Sequence, residues 1–275
     1  KVDNNLKELT YVLDTDAHVE FVDMGDSDGM RVYTRTGILV LVMAAREVLK
    51  DCRVIIQHSL SNGLYGEIKW TRPLTEAHVR AIEQRMREIV EADKPINRKR
   101  MLVEDAIELF RVDGQMDKAR LLRYRKADTV NIYECGWLSD YLYGYMAPST
   151  GYFGTFRLRH YLPGFILELP RRSNPLELPE YVEQGKLANV YFEAEKWGRV
   201  LGVNDVASLN DVIRAGNIDA LIQIVEALHE KKVAQIADVI AQNRDRIAVV
   251  LIAGPSSSGK TTFAQRLWVQ LRVNG

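Results

Sequence analysis

The sequence predicts an α+β protein: an antiparallel-sheet domain, then a helical connector, then the first β-strand, phosphate loop and helix of an α/β P-loop fold. Three observations carry this. Between residues 53 and 169, short Val-, Ile- and Tyr-rich runs alternate with amphipathic stretches but show no βαβ regularity, and Pro163-Gly164 turns one run back on the next, as antiparallel pairing requires. From 176 to 243 the pattern is helical. Finally, the apolar run Ile247-Ala248-Val249-Val250-Leu251-Ile252-Ala253 enters Gly254-Pro255-Ser256-Ser257-Ser258-Gly259-Lys260-Thr261, a complete G-x-x-x-x-G-K-[ST], and a helical pattern follows over 262–271.

In chain order, residues 6–22 are polar-punctuated, and the alternation His18-Val19-Glu20-Phe21-Val22 predicts a strand. Residues 23–29 predict an acidic turn; Asp23, Asp26 and Asp28 lack the later bidentate Glu of an EF-hand, so a solvated turn is expected rather than a Ca²⁺ loop. Apolar residues on nearly every side (Ile38, Leu39, Leu41, Val42, Ala45, Val48) predict a buried helix over 36–49, opened by Thr36 or a Gly37 turn. Strands at 53–57 and 64–70 would flank a loop, His58-Ser59-Leu60-Ser61-Asn62-Gly63. The clearest amphipathic helix is 75–92, with Thr75 as N-cap and Val79, Ile82, Met86, Ile89 and Val90 on one face. Short helices at 103–110 and 116–124 precede strands at 129–133, 141–145, 153–161 and 165–169. After a proline-bearing linker at 173–179 come helices at 189–201, at 208–215 with Ser208-x-x-Asp211 as capping box and Gly216 as stop, and at 217–243.

The loop at 254–261 has a definite chemistry. Glycines let successive N–H groups face one anion, and the following helix adds its positive dipole end. ATP with Mg²⁺ is the expected ligand, held by Gly254, Ser256, Ser257, Ser258, Gly259, Lys260, Thr261 and Thr262. Lys260 would reach the outer phosphates as the catalytic cation, and Thr261 would ligate Mg²⁺.

Composition bounds the rest. Lys and Arg total 37, as do Asp and Glu, so the formal net charge is zero, which argues against a protein devoted to gripping nucleic-acid backbone. Two cysteines, Cys52 and Cys135, make no disulfide framework and fit a reducing compartment. No apolar run approaches the roughly 20 residues of a membrane span, and the first residues lack signal-peptide character, so a cytoplasmic protein with no membrane partner is expected. Oligomeric state is not legible.

Taken together, Gln57-His58-Ser59-Leu60-Ser61-Asn62-Gly63-Leu64-Tyr65, Tyr141-Leu142-Tyr143-Gly144-Tyr145-Met146-Ala147-Pro148-Ser149-Thr150-Gly151, Glu226-Ala227-Leu228-His229-Glu230-Lys231-Lys232 and the phosphate loop resemble the bacterial uridine kinase-like proteins. In that family a TGS domain and the second additional domain of threonyl-tRNA synthetase precede a P-loop nucleoside kinase. The resemblance implies four segments: 1–22 as the tail of the TGS-like domain, 23–175 as the synthetase-like α+β domain, 176–245 as helical connector and 246–275 as the start of the kinase. It implies a fragment truncated at both ends, inactive by itself, from an enzyme that transfers the γ-phosphate of ATP to a nucleoside, uridine foremost. The alternative is an RNA- or tRNA-binding, or degenerate aminoacyl-tRNA-editing-like, module with a regulatory nucleotide loop.

The synthetase likeness further implies a pocket where a His-x-x-x-His and a Cys-x-x-x-His converge. Here those would be His58 with Asn62 and Cys135 with Ser139, two of the four positions changed, too few zinc ligands unless Asn62 and Asp140 help. His229-Glu230 fails the metalloprotease test because residue 233 is Val. Basic residues cluster at Lys94, Arg98, Lys99, Arg100 and at Lys118, Arg120, Arg123, Arg125, Lys126; either cluster is a solvated face or a contact for RNA phosphates. Tyr141, Tyr143 and Tyr145 would share one face of a strand.

Overall fold

In the computed structural model, which describes residues 1–275, the central helix α1 (Ser27–Val48) starts well before residue 36. Asp26 is its N-cap, its carboxylate accepting the Asp28 N–H, with Asp28 favourably placed in the positive first turn. The acidic turn expected at 23–29 is therefore a helix start. Thr36, mid-helix, donates its hydroxyl to the Val32 carbonyl at 2.9 Å and accepts the Ala147 N–H at 3.0 Å. Gly37 does not open the helix either; a Cβ there would lie 2.3 Å from the Phe153 ring, so the glycine admits an aromatic side chain against the helix.

Seven strands and seven further helices follow in the order β1 (Arg53–Leu60), β2 (Gly63–Lys69), α2 (Glu76–Glu91), β3 (Asn97–Leu102), α3 (Val103–Val112), α4 (Met116–Leu122), β4 (Thr129–Cys135), β5 (Leu138–Asp140), β6 (Arg157–Tyr161), β7 (Gly164–Glu168), α5 (Gly185–Val200), α6 (Val206–Arg214), α7 (Ile218–Gln242) and α8 (Lys260–Val273). Two antiparallel sheets result, ordered β1-β2-β7-β6 and β3-β4-β5. Thr75 caps α2 through a reciprocal pair in which its hydroxyl accepts the His78 N–H and His78 Nδ1 accepts the Thr75 N–H. The main core joins α1 and α2 through Leu39, Met43, Ile82, Met86 and Ile89 to Phe165 and Leu167 of β7. A smaller core sets Val130 and Ile132 of β4 on Val103, Phe110 and Leu122 of α3 and α4. A third sets Tyr65 and Ile166 of the four-stranded sheet against Ala188 and Phe192 of α5.

Several expectations are corrected. Residues 18–22 form only an isolated bridge, Val2 with Val19. The six-residue loop at 58–63 is a two-residue turn: Ser61 and Asn62 both adopt positive φ (53° and 45°), which closes a hairpin with β1 running on to Leu60. No strand forms at 141–145, because Asp140, almost fully buried, takes up both Lys118 Nζ and the Tyr141 N–H and ends β5 there. Residues 153–156 lie outside β6, where Phe153 and Phe156 are core residues. Asp205, not Ser208, caps α6, its carboxylate accepting the Ser208 N–H at 2.7 Å, while Gly216 at φ +74° ends the helix as expected.

The chain divides into two units, Lys1–Lys196 and Trp197–Gly275. The second is α-helical. Val233 and Ala237 of α7 pack on Leu267 of α8, with Phe263, Leu271 and Ile252 partly buried against them, and Gln270 Nε2 to Glu230 Oε1 (2.8 Å) and Asn274 Nδ2 to Asp238 Oδ1 (2.9 Å) tie the pair. Residues 247–253 pair with no strand, and Leu251 is 89% exposed. A single apolar run cannot satisfy its own backbone groups as a strand without a neighbour. No helix is long and apolar enough to cross a membrane.

Candidate nucleic-acid interface and phosphate loop

The stretch Asn97-Arg98-Lys99-Arg100-Met101-Leu102 is too polar to read as a strand, yet it forms β3, at the edge of the three-stranded sheet. Antiparallel register pairs Arg98 with Tyr133, Arg100 with Asn131 and Leu102 with Thr129, so these residues share one face. The other face, with Val130 and Ile132, packs on α3 and α4. Arg125, from the segment after α4, reaches the same place: its Nε donates to the Thr129 carbonyl at 3.0 Å and Nη1 to the Tyr141 hydroxyl at 3.3 Å. Arg100 Nε donates to Thr129 Oγ1 at 3.0 Å, and its terminal nitrogens have no protein partner. The result is an open groove of about 490 Å³ lined by Arg98, Arg100, Arg125, Thr129, Val130 and Asn131.

The two basic clusters thus contribute one or two residues each to a common site, and the other members go elsewhere. Lys99, on the opposite face, lies 3.6 Å from Glu134; Lys118 is bound to buried Asp140; Arg123 and Lys126 are exposed and do not line the groove. Of the three tyrosines expected on one strand face, Tyr141 accepts from Arg125, Tyr143 is exposed, and Tyr145 lies beneath the Arg98 guanidinium, 4.9 Å from its ring centroid.

Arg98 also walls a second cavity of about 310 Å³, with Lys7, Glu8, Thr10, Tyr11, Val12 and Tyr145. There Arg98 Nη2 meets Glu8 Oε2 at 3.0 Å. The Tyr133 hydroxyl donates to the Gly144 carbonyl at 2.9 Å and lies 3.4 Å from Glu8 Oε1. Burial, reinforced by the Glu8 charge, pushes the Tyr133 phenol up to about 12, so it remains a donor at neutral pH.

In the second unit, α8 begins at Lys260 on Gly259, whose φ of +82° is open to glycine alone without strain, and no side chain caps the helix start. The first intrahelical bond runs from the Phe263 N–H to the Gly259 carbonyl at 2.9 Å, so the N–H groups of Lys260, Thr261 and Thr262 lack helical partners. Lys260 Nζ folds across the loop onto the Pro255 carbonyl at 2.5 Å, and the Ser258 N–H reaches that oxygen at 3.4 Å. Gly254, Ser256, Ser257 and Ser258 are exposed along the same loop.

The other four sequence-derived residues do not form one pocket. His58, on β1, stacks on Tyr191 with ring centroids 3.7 Å apart and leans on Tyr65. Asn62, in the turn, accepts from Arg171 Nε at 3.0 Å. Cys135 and Ser139 belong to the β4–β5 hairpin of the other sheet, Cys135 fully buried in the main core and the Ser139 carbonyl accepting from Gln115. Burial pushes the Cys135 thiol up and the His58 imidazole down, so neither is charged at neutral pH. No three His, Cys, Asp or Glu side chains gather as metal ligands.

No protein-family model matches the chain. A 159-residue stretch, 58% of the chain, is 31% identical to the threonine–tRNA ligases of Burkholderia lata and Burkholderia mallei, and 30% identical to that of Burkholderia orbicola. The match covers 25% of each ligase, so the chain spans a quarter of the length of these relatives. The α+β architecture with antiparallel sheets is consistent with a threonyl-tRNA-synthetase-like domain.

Proposed function

With a threonyl-tRNA-ligase-like α+β region as premise, we propose that the first unit is an RNA-binding module and the glycine-rich loop of the second a nucleotide-binding element. The observation that carries the RNA reading is the convergence of Arg98, Arg100 and Arg125 on the open face of β3 and β4 in a chain whose formal charges sum to zero. Guanidinium forks bind phosphate oxygens in pairs. Asn131 and Thr129 add neutral donors and acceptors along the same face. The reading is of binding rather than editing, since Asn62 and Ser139 stand where the resemblance expects ligands and Cys135 is an inert buried thiol.

Fluorescence anisotropy of the whole chain with labelled unfractionated bacterial tRNA tests it. Three phosphate contacts predict a slope of log affinity against log salt of about −2 to −3. Arg98→Ala, Arg100→Ala or Arg125→Ala should each reduce that slope by about one and weaken binding several-fold, whereas Lys126→Ala, outside the groove, should not. Affinity indifferent to all three groove changes overturns the reading.

The phosphate loop favours a second reading, an ATP-dependent nucleoside kinase with uridine as the substrate that the family resemblance implies. The loop fits a nucleotide phosphate: it offers uncapped helical N–H groups, a left-handed Gly259 and a lysine five residues from its present acceptor. In this reading Lys260 leaves Pro255 and, with the N–H groups of residues 257–261, holds charge that develops on the phosphoryl group as the nucleoside 5′-hydroxyl attacks. Mg²⁺, with Thr261 as its protein ligand, would supply charge neutralisation between the outer phosphates. Calorimetry with MgATP should give weak saturable binding that Lys260→Ala removes, and the native chain carrying this sequence should consume ATP with uridine or cytidine. Heat that is identical in the variant, or turnover with no nucleoside, counts decisively against it.

A further inference from the structure

Resting on the RNA reading of the groove, we propose that residues 7–12 form an autoinhibitory strap whose Glu8 carboxylate occupies the place of an RNA phosphate at Arg98. Arg98 is the residue common to the two cavities: it lines the groove with Arg100 and Arg125, and it lines the cavity beneath the strap with Glu8, Tyr11 and Tyr145. Glu8 holds it with an oxygen 3.0 Å from Nη2 while its second oxygen faces the Tyr133 hydroxyl at 3.4 Å. A carboxylate oxygen against a guanidinium makes the same charge-assisted contact that a phosphate oxygen makes. The guanidinium is also seated over Tyr145, a second contact besides Glu8.

The strap is fastened by little else. The Glu8 side chain is 19% exposed, but its neighbours Leu9, Val12 and Leu13 are 70%, 78% and 51% exposed, so apolar burial does not hold the segment down. The backbone of residues 7–12 makes one internal hydrogen bond, Tyr11 N–H to Glu8 carbonyl, and none to a strand or helix. Lys7 Nζ lies 4.6 Å from the Tyr11 ring, again within the segment. Glu8 is therefore the clasp, and a polyanion arriving along the Arg100–Arg125 side competes with it for the last guanidinium. A phosphate that wins displaces residues 7–12 and joins the two cavities into one track.

The test uses the whole chain and Glu8→Gln, which keeps the side chain's shape and removes its charge, with two readouts. In the tRNA anisotropy assay the variant should bind about two- to tenfold more tightly than the wild type, the range expected for removing a partly exposed ionic competitor. In limited chymotryptic digestion, cleavage after Tyr11 should be slow in the free wild-type chain, accelerated by tRNA, and fast in Glu8→Gln with or without tRNA. Salt-dependent binding through Arg100 and Arg125 that Glu8→Gln leaves unchanged, with unchanged cleavage, overturns the strap while leaving the groove intact. If neither wild type nor Glu8→Gln binds tRNA, the groove reading falls and the strap with it.

Discussion

His58 is held between the rings of Tyr65 and Tyr191, and its Nε2 is buried without a hydrogen-bond partner. Desolvation lowers its pKa in the folded state, so the unfolded chain binds the proton more readily. Its contribution is complete above the ordinary histidine pKa of about 6.5 and is lost as pH falls below that value. Urea midpoints should decline between about pH 7.5 and 5, and His58→Phe should flatten that decline; equal slopes in both proteins would mean that other groups dominate. The histidine was visible in the sequence, but its two ring neighbours were not: Tyr191 lies on α5, far along the chain, and only folding stacks it there. Cys135 shows the opposite case, since a cysteine with no second ligand at residue 139 reads as a small buried residue and is one.

Among elements, legibility followed amphipathicity. The stripe of Val79, Ile82, Met86 and Ile89 located α2 within a residue at each end, as the pattern did for α7, while α3 and α4 were placed within two. β3 was missed because Asn97, Arg98, Lys99 and Arg100 suppress the apolar alternation that marks a strand; an edge strand needs little of it. Tyr141, Tyr143 and Tyr145 had the alternation without a neighbour to pair with, as did residues 247–253. The β1–β2 hairpin lay in between. Asn62 beside a glycine was readable as a turn signal, but the turn places Ser61 and Asn62 in left-handed backbone. Asn tolerates that region and Ala does not, so Asn62→Ala should destabilise the chain by about 1–2 kcal/mol, with loss of the Arg171 contact included. Asn62→Gly should cost less than Asn62→Ala; the reverse order in chemical denaturation would show that the Arg171 hydrogen bond outweighs backbone strain.

For the whole chain, zero net charge argues against a surface devoted to nucleic acid, but it does not bear on a local groove. Net charge governs long-range attraction; a groove is governed by which cations lack carboxylate partners within it. Many basic residues are spent on ion pairs, among them Arg46 with Asp113, Arg85 with Glu47 and Glu88, and Arg159 with Glu168, whereas Arg100 and Arg125 are directed to a threonine and a tyrosine. The small predicted salt slope follows from that local count rather than from the overall balance. Backbone conformation was legible where its rules are strict, as at Gly259; convergence of residues separated by a helix pair, Arg98 with Arg125, was not.

The position of β3 at the rim of its sheet has a colloidal consequence. Its outer backbone edge is free to accept a strand from another molecule, and cationic side chains along it make such stacking repulsive. The groove arginines on β3 thereby serve as gatekeepers against edge-to-edge association. Neutralising them together would strip that guard, and light scattering should then record self-association at protein concentrations where the native chain stays dispersed.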